Sequence, residues 1–170
     1  MGGFMKQQLN IVVNGEAYDL FIEPKTLLVQ VIRDMLGLKG THQACDSSSC
    51  AACTVVLDGK AVKSCSILAL QANGKSVVTV EGLAQGTKLH PIQQAFIDNW
   101  AFQCGFCTSG QIMGAKALLD ENPNPTREEI QEAMDGHLCR CTGFNMINEA
   151  IRDAAKRLQE QKAAESGRVA

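Results

Sequence analysis

Eight cysteines arranged as two sets of four constrain this chain more than any other feature. The first set runs Cys45-x4-Cys50-x2-Cys53-x11-Cys65; the second pairs Cys104-x2-Cys107 with Cys139-x-Cys141, thirty-one residues further on. No cysteine is left over. In a reducing compartment such sets are metal ligands rather than disulfides. Any fold the chain adopts has to gather four sulfurs twice.

Four thiolates are the usual ligand set of an iron–sulfur cluster, and C-x4-C-x2-C is the plant-type ferredoxin spacing. Zinc loops more often pair two C-x2-C knuckles, whereas Cys45, Cys50 and Cys53 form a run of three with one distant partner, Cys65. The second set, taken alone, fits zinc as well as iron. Beside the first, it reads as a second 2Fe–2S site. An oxidised 2Fe–2S cluster on four thiolates carries about −2, which adds to a formal chain charge of −2. Backbone N–H···S bonds have to offset that charge, in keeping with ligands set in loops among small residues.

Aromatic residues make up 5% of the 170 residues, so each half has little bulky material for a core. Metal cross-links compensate in such cases. The near-neutral charge points to neither nucleic acid nor an anionic membrane as partner, and no stretch is apolar enough to span a bilayer. The opening Met1-Gly2-Gly3-Phe4-Met5-Lys6 has no twin arginine and no apolar signal core, which points to the cytoplasm.

Residues 9 to about 80 read as a compact α+β unit. Leu9–Val13 and Ala17–Ile22 flank Asn14-Gly15, a two-residue hairpin signal, and Asp58-Gly59 joins Thr54–Leu57 to Ala61–Lys63 in the same way. Between the hairpins, Thr26 is expected to cap a helix through Leu36 with Leu28, Ile32 and Met35 on one face and Gly37 past its end. A short helix is expected over about 66–72, then a strand over Ser76–Val80. Gly82 to Lys88 reads as a linker. Beyond it, the periodicity predicts four helices. The first begins at Pro91; the next two open at capping boxes, Thr108-Ser109-Gly110-Gln111 and Thr126-Arg127-Glu128-Glu129; the last spans about Asn145 to Gln159. Residues 161–170 are expected to be a disordered tail. Both cysteine pairs of the second set fall in loops just before helices, whose N-terminal amides favour an anionic cluster.

Gln103-Cys104-Gly105-Phe106-Cys107-Thr108-Ser109-Gly110, with Leu138-Cys139-Arg140-Cys141-Thr142-Gly143-Phe144, resembles the small iron–sulfur subunit of the xanthine oxidase (molybdenum hydroxylase) family. Small subunits of carbon monoxide dehydrogenase and hydroxybenzoyl-CoA reductase are of this kind. Cys50-Ala51-Ala52-Cys53-Thr54-Val55-Val56-Leu57-Asp58-Gly59 with Ser64-Cys65 resembles the N-terminal half of the same family. The likeness covers residues 9 to about 158. It implies a plant-type ferredoxin-like β-grasp domain (1–81) followed by a four-helix bundle domain (89–160), each with one 2Fe–2S cluster. It also implies a large partner subunit carrying molybdopterin and a medium subunit carrying FAD, assembled as a dimer of heterotrimers. Electrons would pass from the pterin to the cluster of Cys104, Cys107, Cys139 and Cys141, then to that of Cys45, Cys50, Cys53 and Cys65, then to FAD. Gln103 and Cys141 are the implied pterin contacts.

The chain departs from the family pattern where glycine is usual, at Ala44, Ser48 and Ala51. A non-glycine residue held at positive φ costs about 1–2 kcal/mol, so the first cluster is expected to be more labile or shifted in potential. His137 is expected to be an exposed loop residue, His42 and His90 to be isolated with His90 a helix cap, and Trp100 to lie in the core or at a subunit interface. Arg140, between two ligands, either tunes the cluster or pairs with a partner. No residues form a recognisable catalytic set, so substrate chemistry is assigned to another chain. Two rival readings stay open: a free-standing two-cluster ferredoxin and a zinc-stabilised interaction module.

Overall fold

The protein is described here by a computed structural model covering residues 5–167. Five strands, β1 (Gln7–Val13), β2 (Glu16–Ile22), β3 (Thr54–Leu57), β4 (Lys60–Lys63) and β5 (Ser76–Val78), form one mixed sheet in the order β2-β1-β5-β3-β4. β1 and β5 run parallel; the other neighbours are antiparallel. Both hairpins turn on the dipeptides read from the sequence. Asn14 and Gly15 have φ of 52° and 85°, and Asp58 and Gly59 have 47° and 82°, the signature of a type I′ turn.

Alternation along β1 buries Leu9, Ile11 and Val13 against Leu28, Val31 and Ile32. These last three come from one short helical segment that begins as α1 (Leu28–Gln30) and widens into a π-turn over Val31–Met35. Leu27, not Thr26, occupies its cap, and Met35 is exposed rather than part of the buried face. Gly37 ends the segment at φ 74°. The helix expected over 66–72 is two 3-10 turns, Ser64–Ser66 and Ala69–Ala72.

β3 differs from the other strands because every residue in it is buried. Val55 and Leu57 join the core under the sheet, while Val56 faces a second core built by four helices. These are α2 (Pro91–Asp98), α3 (Thr108–Glu121), α4 (Arg127–Met134) and α5 (Phe144–Ser166). α2 lies along α5, α3 packs on α4, and α3 also covers β3. The fold is therefore α+β, with the sheet and the helices meeting along α3.

The helix ends follow local chemistry. His90 caps α2 by accepting from the Ile92 amide at 3.3 Å, and Thr126 and Glu129 form the expected capping box of α4. The box expected at Thr108 is not made: Cys107 stands at the cap position and Thr108 is already the first helical residue. α5 continues to Ser166, so residues 161–166 are helical rather than a disordered tail. Their Gln, Lys, Ala and Glu side chains all favour helix, and Gly167 stops it. Residues 1–4 and the end of the expected tail, residues 168–170, lie outside the described residues.

Candidate metal centres and the family of the chain

The thiols of the first set lie on the loop before β3 and on the turn after β4. They meet in twos. Cys45 contacts Cys50, and Cys53 contacts Cys65. In the second set Cys104 Sγ lies 3.5 Å from Cys141 Sγ, and Cys107 contacts Cys139. Four thiols gathered as two pairs fit the four-cysteine ligand set that a 2Fe–2S cluster would take.

The acidities separate the thiols within each set. Cys45 is brought down to about 6 by the Cys50 amide and thiol and by the amides of Ser47 and Ser49. Burial pushes Cys53 up to about 11. In the second set burial again pushes Cys107 up, to about 12, helped by the Cys139 thiol. Burial also raises Cys139, but the amides of Cys141 and Thr142, the Cys107 thiol and the Gly143 amide outweigh it and bring it to about 7. The Thr142 amide sits 3.4 Å from Cys139 Sγ. Each set thus holds one thiol whose acidity is raised by nearby amides and one whose acidity is lowered by burial.

The second set occupies two helix N-termini. Cys107 is the cap residue of α3, and Cys141 is followed two residues later by Gly143, the cap of α5 at φ 81°. Amides at both ends favour negative charge there. The hydroxyls of Thr108 and Thr142, each adjacent to a set member, are buried without a partner, as is the amide of Gln111. Unsatisfied hydroxyl donors beside four thiols fit a sulfur-rich anionic group.

Burial differs between the sets. Cys53 is buried and Cys45, Cys50 and Cys65 are half-buried, whereas Cys104, Cys141 and the neighbouring Gln103 are exposed. Around them Phe102, Phe106, Leu138, Phe144 and Met146 also face outward.

A pattern described as a 2Fe-2S iron-sulfur cluster binding domain matches residues 11–81, and one described as a [2Fe-2S] binding domain matches residues 79–152. The nicotinate dehydrogenase small FeS subunit of Eubacterium barkeri is 45% identical over 89% of this chain and 97% of its own. The nicotine 6-hydroxylase small subunit of Paenarthrobacter nicotinovorans is 44% identical over 86% of this chain and 88% of its own. Quinoline 2-oxidoreductase from Pseudomonas putida 86 contains a chain of the same fold, with a TM-score of 0.87 and 40% identity over 92% of this chain and 98% of that one. The chain belongs to the small iron–sulfur subunits of the xanthine oxidase family. It is a subunit of an oxidoreductase and carries two 2Fe–2S binding domains.

Ser48 and Ala51 do sit at positive φ, 60° and 57°, while Ala44 is not among the positive-φ residues. His137 is a correction: it is buried, not exposed, with Nε2 3.3 Å from Thr54 Oγ1. A Cβ on Gly114 of α3 would lie 2.8 Å from that nitrogen, so the missing side chain makes room for the ring. His42 is not isolated. Its ring stacks on Phe106 at 4.6 Å, and its Nδ1–H donates to the Phe106 carbonyl at 2.7 Å. Trp100 is 78% exposed, which excludes it from the core. The role of the Thr142 hydroxyl, buried beside Cys141, was not legible in the sequence, since a lone hydroxyl carries no spacing signal.

Proposed function

We propose that Cys45, Cys50, Cys53 and Cys65 hold one 2Fe–2S cluster and that Cys104, Cys107, Cys139 and Cys141 hold the second. The pairing of thiols in twos supports this ligand assignment. When bound, each cluster takes up and gives up a single electron. The protein's own residues hold the two groups in a fixed relation, turn amide N–H groups toward ligand sulfurs, and keep one face of the second site open.

The chain is then the electron-transfer subunit of a heteromeric molybdenum hydroxylase, relaying electrons between a molybdopterin centre on a large partner and FAD on a medium partner. The second set faces the pterin in this reading, with Gln103 and Cys141 as its contacts. The outward-facing thiols amid exposed Phe102, Phe106, Leu138, Phe144 and Met146 support it, because an apolar rim around a redox site suits a covering partner. We assign residues 1–81 to a ferredoxin-like β-grasp unit and 89–160 to a four-helix unit. The assembly is a dimer of heterotrimers. A cytoplasmic site is favoured by two thiol sets that require reducing conditions for metal loading.

Purification through an affinity tag on this chain from its native host tests the reading. The expected outcome is co-elution of a large molybdenum-containing chain and a flavin-containing chain. Recovery of this chain alone as a stable monomer would overturn it.

A further inference from the structure

Beside the first cysteine set, the loop before β3 and the turn after β4 bring together a hydroxyl pair that ligation itself does not use. Ser66 Oγ donates to Ser48 Oγ at 2.6 Å. Both oxygens lie against Cys65 Sγ, Ser48 at 3.9 Å and Ser66 at 3.7 Å. Ser48 is fixed in place: its backbone is left-handed at φ 60°, and Lys63 Nζ donates to its carbonyl at 2.9 Å. The neighbouring Ser47 and Ser49 hydroxyls instead bond one another at 3.0 Å.

A cysteine thiol can donate or accept, but a ligating thiolate has no proton and only accepts. The proton of Ser66 is committed to Ser48, which leaves the Ser48 proton free for sulfur. We infer that Ser48, supported by Ser66 and held by Lys63, donates an O–H···S hydrogen bond to the Cys65 thiolate and raises the reduction potential of the first cluster. This rests on Cys65 being a ligand, as proposed above. The sign follows from charge. A donor at a ligand sulfur withdraws electron density from iron and is strengthened when the cluster gains an electron, so it stabilises the reduced state. Donation from Ser66 to Ser48 polarises the second O–H and makes it the stronger donor. Ser48 and Ser66 are positioning residues in this scheme, since neither touches iron.

A redox titration of the purified complex, followed by paramagnetic resonance, tests the inference with S48A, S66A, S48G and the S48A/S66A double variant. At the wild-type midpoint of the first cluster, S48A is expected to lower the reduced-to-oxidised ratio about threefold to tenfold, tenfold being 59 mV for one electron. S66A lowers it less, and the double variant matches S48A because Ser66 acts through Ser48. S48G lowers it as S48A does, although it relieves the backbone, which separates hydrogen bonding from strain. The second cluster's midpoint stays unchanged in all four. Unchanged first-cluster midpoints in S48A and S66A, with iron retained, would overturn the inference. Should S48A shed its iron, S66A, on an exposed residue, still decides. A wild-type complex with no signal from the first site would instead defeat the ligand assignment.

Discussion

The amide of Leu138 donates a 3.1 Å hydrogen bond to the carbonyl of Cys50. Cys50 belongs to the first thiol set, and Leu138 directly precedes Cys139 of the second. One backbone hydrogen bond therefore ties the two proposed metal sites together. His42 on Phe106 and His137 beside Thr54 brace the same seam. Such a seam keeps the loops that carry the two thiol sets in register with one another.

Gly110 is where the seam is tightest. A Cβ there would meet the Ala51 carbonyl at 2.3 Å, and backbone cannot yield as a flexible side chain can. Gly110→Ala is expected to destabilise the cluster-loaded protein by about 1–3 kcal/mol. Thermal unfolding followed by circular dichroism measures this, and an unchanged midpoint would show that α3 does not press on the first loop.

Ala51 holds a left-handed backbone at φ 57°. Ala51→Gly is expected to stabilise the loop by about 1 kcal/mol through relief of that strain. The first cluster should then lose iron to a chelator more slowly than in the wild type. Faster loss would mean that the buried Ala51 methyl contributes more than the strain costs.

His90 accepts from the Ile92 amide, and burial first, then Lys116, lowers its pKa below the ordinary 6.5, with Asp120 opposing. A base with a depressed folded pKa is neutral in both states at high pH, where its stabilisation is complete. As pH falls through 6.5 toward the folded value, the unfolded chain takes up the proton first and stability declines. Protonation also removes the cap acceptor. His90→Asn keeps an acceptor and cannot titrate, so melting temperatures between pH 7.5 and 5 should fall less steeply in H90N than in the wild type.

Trp100 is 78% exposed just beyond α2, two residues before Phe102 and four before Cys104. Trp100→Ala is expected to leave the melting of this chain within about 0.5 kcal/mol and to weaken its binding to the large partner by about 2 kcal/mol. Titration calorimetry or a pull-down with the tagged partner measures the second effect. A large loss of chain stability with unchanged binding would contradict an interface role.

Local chemistry was legible at the turns and at one helix cap, where a residue acts on its own backbone. Asn14-Gly15 and Asp58-Gly59 mark their turns because few other pairs adopt two positive φ values in succession, and Thr126 marks a cap because Glu129 reciprocates. Ser48 and Ala51 were legible as left-handed positions through the family likeness, not through their own chemistry. The same rule misled at Thr108, where the chain enters α3 one residue earlier and Cys107 takes the cap. His137 and His42 were illegible because the burial of the first depends on Gly114 and the stacking of the second on Phe106, far away in sequence. The π-turn after Gln30 carries no compositional sign. The cysteine spacings pointed to two 2Fe–2S binding domains because a run of three thiols with one distant partner suits a cluster better than a zinc knuckle.

Iron and acid-labile sulfide analysis of the anaerobically purified protein, together with paramagnetic resonance after dithionite reduction, tests the central claim most directly. The expected result is about four irons and four sulfides per chain with two distinct spin-half signals, and loss of only one signal in Cys53→Ser. A protein that holds zinc, or iron without sulfide, and gives no such signals would contradict the account.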